Sequence, residues 1–211
     1  MTTLKVCETF LSIQGESTFA GLPCHFIRLA GCNLHCTYCD TPQARQGGRE
    51  VEIERLVEEA VASRAAIVEI TGGEPLLQPN FTVFARALQE ALARPILVET
   101  NGSLDISAIP AGVIAVMDIK CPGSGMADAF DIANLDRLRP QDEVKFVICG
   151  RSDYDWARRF VEQYDVARRC RAVLFSPATG RLKASMLAEW MIEDCPPARL
   201  QVRLQHVLGV R

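Results

Sequence analysis

Gly31-Cys32-Asn33-Leu34-His35-Cys36-Thr37-Tyr38-Cys39-Asp40-Thr41 is the stretch whose reading decides the fold. Its cysteines stand at a C-x3-C-x2-C spacing, which aims three thiolates into one concave loop. Thiolates suit soft metals and iron–sulfur clusters. A cubane cluster takes four cysteine ligands when fully ligated, so three leave one iron open. An open coordination position on a metal marks chemistry rather than structure. Gly31 fits the tight turn into the loop, because glycine tolerates positive φ. Two other readings stand beside this one. Cys32, Cys36 and Cys39 with His35 have the donor types of a structural Cys3His zinc site, and buried thiols also serve as small hydrophobic filler. Structural zinc sites pair two short knuckles. No second C-x2-C or H-x3-H follows here, and His35 lies between the first two cysteines, where its ring would struggle to join the same tetrahedron.

Outward from the loop, strand-like runs alternate with helical periodicity. Residues 4–10 and 24–30 read as strands, separated by the polar, glycine-centred loop Ser12-Ile13-Gln14-Gly15-Glu16-Ser17. Residues 43–49 read as a polar, mobile loop. From Val51 an apolar stripe of Ile53, Leu56, Val57, Ala60 and Val61 predicts an amphipathic helix. A second stripe runs through Phe81, Phe84, Ala85, Leu88 and Leu92. Further strands are expected at 66–70, 95–98, 113–117, 144–149, 172–175 and 200–204, with helices around Trp156 to Tyr164 and Leu187 to Met191. Such alternation predicts βαβ units and a parallel sheet. Right-handed crossovers then bring every C-terminal strand end to one rim. The cysteine loop, Thr71-Gly72-Gly73-Glu74-Pro75, Glu99-Thr100-Asn101-Gly102, Asp118-Ile119-Lys120 and Ser176-Pro177 all meet there. About six barrel-type strands are visible, whereas a closed barrel of this kind uses about eight. The expected fold is α/β, a partial (β/α)6-type barrel open on one side. One domain spans residues 1–211, with the cluster loop at 31–41.

Composition sets outer bounds. The 211 residues are 48% hydrophobic and 23% charged, with a net charge of −3, so general attraction to nucleic acid is not expected. No apolar run is long enough to span a bilayer, and the first nine residues include Lys5 and Glu8 but no signal-like apolar segment. A cytosolic, cytoplasmic location is expected. Outside the loop stand Cys7, Cys24, Cys121, Cys149, Cys170 and Cys195, without a pairing pattern. Cys7, Cys24 and Cys149 lie in strand-like runs and read as buried filler. The pairs Arg158-Arg159 and Arg168-Arg169 read as a solvated helix face. Arg28 is either a solvated strand residue or an anion clamp. Gly72-Gly73 would let backbone approach a ligand, with Glu74 as a further acceptor, or would simply make a βα turn.

Cys32-x3-Cys36-x2-Cys39, Gly72-Gly73-Glu74-Pro75 and the partial barrel together resemble the radical SAM superfamily. Gln14-Gly15-Glu16, Arg28, Cys39-Asp40-Thr41 and Glu99-Thr100-Asn101-Gly102 extend the resemblance, nearly end to end, to the 7-carboxy-7-deazaguanine synthase family of queuosine biosynthesis. The resemblance implies a radical SAM barrel and a [4Fe–4S] cluster on Cys32, Cys36 and Cys39, whose open iron chelates S-adenosylmethionine. It implies formation of 7-carboxy-7-deazaguanine from 6-carboxy-5,6,7,8-tetrahydropterin with loss of ammonia, by a carbon–nitrogen lyase. Tyr38, Cys39, Asp40, Gly73, Glu74, Asp118, Ile119, Lys120 and Ser176 match positions around S-adenosylmethionine. Ile13, Gln14, Gly15, Glu16, Arg28, Thr71 and Arg211 match positions around the pterin, and Thr41 matches a Mg2+ ligand. A flavodoxin or ferredoxin reductant and a homodimer are also implied. Departures are Arg203-Leu204-Gln205-His206 where the family shows Gln-x-His-Lys, Asp118-Ile119 where some members have Ser-Pro, and Ser17 in place of a glycine. Two other functions fit the same loop: a glycyl-radical-enzyme activase, and a non-catalytic iron–sulfur or zinc module with a fully ligated metal.

Overall fold

Residues 2–210 are described, in a computed structural model. β1 (Thr3–Ile13) runs antiparallel to β2 (Pro23–Leu29), and β3 (Arg49–Glu52) pairs antiparallel with the other side of β1. Then follow α1 (Ile53–Ser63), β4 (Ile67–Gly72), α2 (Phe81–Ala91), β5 (Ile96–Thr100), β6 (Val113–Asp118) and α3 (Asn134–Arg137). The chain continues through β7 (Glu143–Ile148), α4 (Arg151–Gln163), β8 (Ala172–Pro177), α5 (Ala184–Asp194), β9 (Arg199–Leu200) and α6 (Leu204–Leu208). All these strands form one sheet in the order β3-β1-β2-β4-β5-β6-β7-β8-β9. Every pairing from β2 to β9 is parallel. The C-terminal ends of β2 and β4 to β8 therefore share a rim, and the sheet does not close.

Parallel strands are buried on both faces, which is why they read as apolar runs. Ile27, Leu29, Val68, Ile70, Val98, Met117, Phe146 and Phe175 point outward into the large core under the helices. α1 and α2 contribute Leu56, Ala60, Phe84 and Leu88 to that core. The inner face carries a smaller cluster of Cys24, Phe26, Ile67, Leu97 and Val116, and Phe10 stacks on Phe26 at 5.0 Å between ring centroids.

Several expectations need correction. β1 runs on through Ser12 and Ile13, so the loop begins at Gln14. Residues 49–52 form edge strand β3, where the sequence predicts a loop to Arg49 and a helix from Val51, because they bond to β1 from Thr3 to Val6, and the helix starts only at Ile53. Cys149 lies just beyond β7 and is only half-buried, as is Cys7; of the three proposed fillers, Cys24 alone is buried. The strand expected at 200–204 shrinks to Arg199–Leu200. The chain then leaves β8 to bond elsewhere: Leu204 N–H donates to Gly15 O at 3.0 Å, and Leu204 starts α6. Ser17 sits at φ 64°, in the left-handed region that explains a glycine preference there.

Phe146 is fully buried and meets Trp156, Phe160 and Phe175 edge-on, at 5.7 to 6.3 Å between centroids. Phe146→Ala should lower the unfolding free energy in urea by about 3–5 kcal/mol. A loss below about 1 kcal/mol would show that this cluster does not hold the helices to the sheet.

Candidate functional site

Alternate residues of a strand face the same side. Arg28 on β2, Glu69 and Thr71 on β4, Glu99 on β5, Asp118 on β6 and Lys145 on β7 accordingly share the inner face, above the small apolar cluster. Arg28 is in register with Thr71, and Asp118 with Lys145. They line a cavity of about 410 Å³ that opens at the rim. Its roof comes from the cysteine loop, from Gln14, Gly15 and Glu16 after β1, and from Arg203, Gln205 and His206 near the C-terminus. Phe10, Phe26 and Val116 make one wall apolar.

Lys145 organises the floor. Its side chain is 2% exposed. Its ammonium donates to Glu16 at 2.9 Å and to Glu99, and lies 3.6 Å from Asp118. Burial alone would pull the lysine pKa down, but Glu16, Glu99 and Asp118 together push it well above the ordinary value. The glutamates respond in turn. Burial works to raise Glu16 and Glu99, yet both fall below the usual carboxylate range, Glu16 through Lys145 and Arg203, Glu99 chiefly through Lys145. Lys120 donates to Asp118 at 2.8 Å, and Asp118 and Cys36 hold its pKa up against burial. Among the described residues no cation forms an ion pair with Glu69, although Lys145 acts on it from a distance. Burial, then the charge of Glu99, push its carboxyl up to about 8, and Gln14 Nε2 donates to it.

The cysteine loop is held from several sides. Arg45 Nη2 donates to Cys36 O at 2.9 Å, and Arg181 Nη2 to Thr37 O at 2.7 Å. Gly31 turns at φ 101°, and Glu74 N–H donates to Gly31 O at 2.7 Å. The close approach explains the glycine pair. A Cβ on Gly73 would strike Gly31 O and Cys32, and one on Gly72, at φ 143°, would strike Leu29 O. Cys32, Cys36 and Cys39 are half-buried free thiols that line the cavity. Burial raises the pKa of Cys32 and Cys36, so metal binding there must release protons. Among the described residues no three His, Cys, Asp or Glu side chains gather about a single metal-ion position. A cubane cluster asks for something wider, since each thiolate binds a different iron. The residues present fit such a cluster.

Of the residues singled out in the sequence, Ile13, Gln14, Gly15, Glu16, Arg28, Tyr38, Asp40, Thr41, Thr71, Gly73, Asp118 and Lys120 line this cavity with the three cysteines. Arg28 donates from Nε to Glu8 at 3.0 Å and lies over the Phe10 ring, so it is a held side chain, not a solvated one. Three residues are placed elsewhere. The Glu74 carboxylate is turned into the fold, accepting from Thr100 Oγ1 at 2.8 Å, Asn101 N at 2.7 Å and Leu76 N at 3.1 Å. Ile119 belongs to the outer core, and Ser176 is fully buried without lining the cavity. Arg211 lies outside the described residues. Sequence reasoning missed Glu69, Lys145 and the roof residues Arg203 and Gln205 as site residues. The signal for the first two was present: a charge in the middle of an apolar parallel strand, as in Val68-Glu69-Ile70 and Val144-Lys145-Phe146.

Glu69 is neutral in the fold at pH 7, whereas in the unfolded chain it ionises near its ordinary 4.5. A raised folded pKa gives stability that is fully present below pH 4.5 and is lost as pH rises toward about 8. Glu69→Gln keeps the neutral shape and removes that slope. The variant should gain on the parent chain as pH rises from 5.5 to 8.5, by about 6–12 °C of Tm, on the order expected for ~3 kcal/mol. A difference in Tm that stays constant over this range would mean that Glu69 does not titrate as described.

Comparison with known proteins agrees with this geometry. Residues 26–117 match the radical SAM superfamily. The chain is 40% identical to the 7-carboxy-7-deazaguanine synthase of Koribacter versatilis, over 95% of this chain and 93% of that protein. It is 39% identical to the enzyme of the same name from Chlorobaculum tepidum, over 97% and 94%. Its fold is similar to the crystal structure of QueE from Escherichia coli, with a TM-score of 0.78 and 21% identity over 96% of this chain and 94% of that one. Streptococcus suis SuiB, solved bound to S-adenosylmethionine, shares the fold more distantly, with a TM-score of 0.57 and 14% identity over 81% of this chain and 48% of that one. With near full-length relatives at this identity and an open parallel barrel that places three cysteines over a charged cavity, the chain belongs to the 7-carboxy-7-deazaguanine synthase family of the radical SAM superfamily.

Proposed function

We propose that this chain converts 6-carboxy-5,6,7,8-tetrahydropterin to 7-carboxy-7-deazaguanine with loss of ammonia, as a step of queuosine and 7-deazapurine biosynthesis. The observation that carries the reading is that one cavity is lined by both sets of residues. Its mouth presents the three thiols, and its depth presents Arg28, Gln14, Glu69 and an apolar aromatic wall. Cys32, Cys36 and Cys39 would hold a [4Fe–4S] cluster, which with S-adenosylmethionine supplies a 5′-deoxyadenosyl radical. The backbone of Gly73 and the side chains of Tyr38, Asp40, Asp118 and Lys120 line the part of the cavity nearest those thiols and suit an amino acid's charged ends and a ribose. Arg28 is tied to Glu8 through one N–H, and its guanidinium is a forked donor for a substrate carboxylate. Phe10 and Phe26 offer a flat face to a heteroaromatic ring. Neutral Glu69 can both donate to and accept from that ring, which an ionised carboxylate cannot.

Thr41 Oγ1 and the Asp40 carboxylate stand together, the hydroxyl donating to Asp40 Oδ1 at 3.0 Å. Hard oxygens of this kind suit Mg2+ beside a substrate carboxylate. A flavodoxin- or ferredoxin-type protein would deliver the electron, and the enzyme would work in the cytoplasm. A second copy of the chain is proposed to cover the exposed apolar side chains of Leu11, Val207, Leu208 and Val210; sedimentation at twice the chain mass supports this, and sedimentation at one chain mass refutes it. An activase reading is disfavoured, because a cavity roofed by the chain's own C-terminal residues suits a small molecule better than a protein segment.

Anaerobically reconstituted protein, given S-adenosylmethionine, the carboxypterin and dithionite, should yield a product with the mass of 7-carboxy-7-deazaguanine. Cys36→Ala should lose the cluster's visible absorption and all product. S-adenosylmethionine cleavage with no pterin product would return the activase reading, and a cluster spectrum unchanged by S-adenosylmethionine would return the non-catalytic one.

A further inference from the structure

We propose that Arg203 is a positioning residue that ties the S-adenosylmethionine side of the cavity to the pterin side, by bridging Asp40 of the cysteine loop and Glu16 of the loop after β1. The inference deepens the function proposed above and rests on it for the roles of the two sides. Arg203 Nη1 donates to Asp40 Oδ2 at 2.6 Å and to Thr179 Oγ1 at 3.3 Å, and its Nε lies 3.4 Å from Glu16 Oε1. The Arg203 side chain is only 10% exposed and that of Glu16 18%, so the Glu16 contact is largely shielded from solvent, while the Asp40 contact is half open to it. A guanidinium is a rigid, planar fork that offers separate N–H groups to two carboxylates at a set separation, whereas an ammonium offers a single point charge on a flexible stem.

The surroundings make the bridge directional. Gln205 Nε2 also donates to Glu16 Oε1, at 3.2 Å. Gly15 lies so close beneath Gln205 that a Cβ there would collide with its side chain. Leu204 N–H donates to Gly15 O at 3.0 Å, and Gln201 Nε2 to Ser17 O at 3.4 Å. The segment 201–205 is thus laced onto the loop 14–17 at several points. Toward the cysteine loop it reaches chiefly through Arg203. Glu16 keeps Lys145 if Arg203 is lost, whereas Asp40, with its side chain 48% exposed, keeps only the hydroxyl of Thr41 among these contacts. Loss of Arg203 should therefore free the cysteine loop from the pterin side without undoing the floor. A radical must meet one hydrogen of one substrate, and a misplacement of about 1 Å can reduce the rate by ~100-fold. The bridge sets that alignment.

Arg203→Gln and Arg203→Lys test it, in two arms. In the first, reconstituted enzyme with dithionite, S-adenosylmethionine and the carboxypterin is assayed for product formed per 5′-deoxyadenosine released. The ratio should fall about tenfold in Arg203→Gln while 5′-deoxyadenosine release persists, and Arg203→Lys, which keeps the charge but not the fork, should recover part of it. In the second, amide exchange is followed in the chain without cluster. Residues 37–41 should exchange faster in Arg203→Gln, with residues 14–17 less affected and β4 to β7 unchanged. An unchanged ratio overturns the proposal. So does an equal fall of both products that lysine does not relieve, or exchange unaltered at 37–41. If the parent chain makes no product at all, the proposed reaction fails, and the exchange arm still decides the bridge.

Discussion

A single buried ammonium holds the interior of this barrel together. Glu16, Glu99 and Asp118 come from three different parts of the chain and converge on Lys145 at the end of the cavity floor. Each carboxylate taken out of water alone carries a desolvation penalty of several kcal/mol. Lys145 offsets part of it for all three, and they in turn keep it charged. The arrangement is not a strong source of stability, because buried ion pairs of this kind roughly break even against apolar packing. What it provides is order. The loop after β1, β5 and β6 are each held by charge to one atom of β7, so the walls of the cavity keep their relative places before any ligand arrives.

The same economy of position appears at the mouth. A cluster loop with only three thiolates must be held by something other than its metal. Here the support is backbone and cation: Arg45 and Arg181 bind its carbonyls, and the Gly72-Gly73 turn presses against Gly31 and Cys32 where no side chain fits. Glu74, within the same Gly-Gly-Glu-Pro run, turns its carboxylate toward Thr100, Asn101 and Leu76 instead of the cavity. It thereby fixes the end of β5 against the turn after β4. Its contribution to the ligand site is the shape of the turn rather than a contact.

The parts of the fold legible in the sequence were those whose burial is two-sided. β2 and β4 to β8 are buried on both faces and, apart from the charges that line the cavity, announce themselves as apolar runs. β3, the strand Arg49-Glu50-Val51-Glu52, buries only Val51 and so resembles a loop. β9 pairs over two residues, too few to leave a pattern against the apolar residues that follow. Within the site, the cysteine spacing and the glycine pair were legible because local geometry demands those residue types. The direction of a side chain was not. Nothing in the order of residues distinguishes Glu74, which faces the backbone, from Glu16, which faces the cavity. Glu69 and Lys145 show the converse: a charge in mid-strand is an anomaly that only a lined cavity resolves, and the inner face of a parallel barrel is the natural place for one.

An open barrel leaves a gap between its first and last parallel strands, and chemistry with a radical requires that gap to be shut to water. The chain closes it with its own ends. Thr18 donates to Glu143 at the start of β7, and beyond β9 Gln201 Nε2 donates to Ser17 O and Leu204 N–H to Gly15 O, so the loop after β1 and the segment after β9 meet across the opening. Closure by short polar contacts, in place of two more strands, gives the roof few buried apolar contacts. Local stability follows buried apolar contact, so such a roof opens at lower free energy than the sheet beneath it. The division of labour follows from where the apolar residues lie: beneath the helices in quantity, on the inner face sparingly, and hardly at all in the residues that cross the opening.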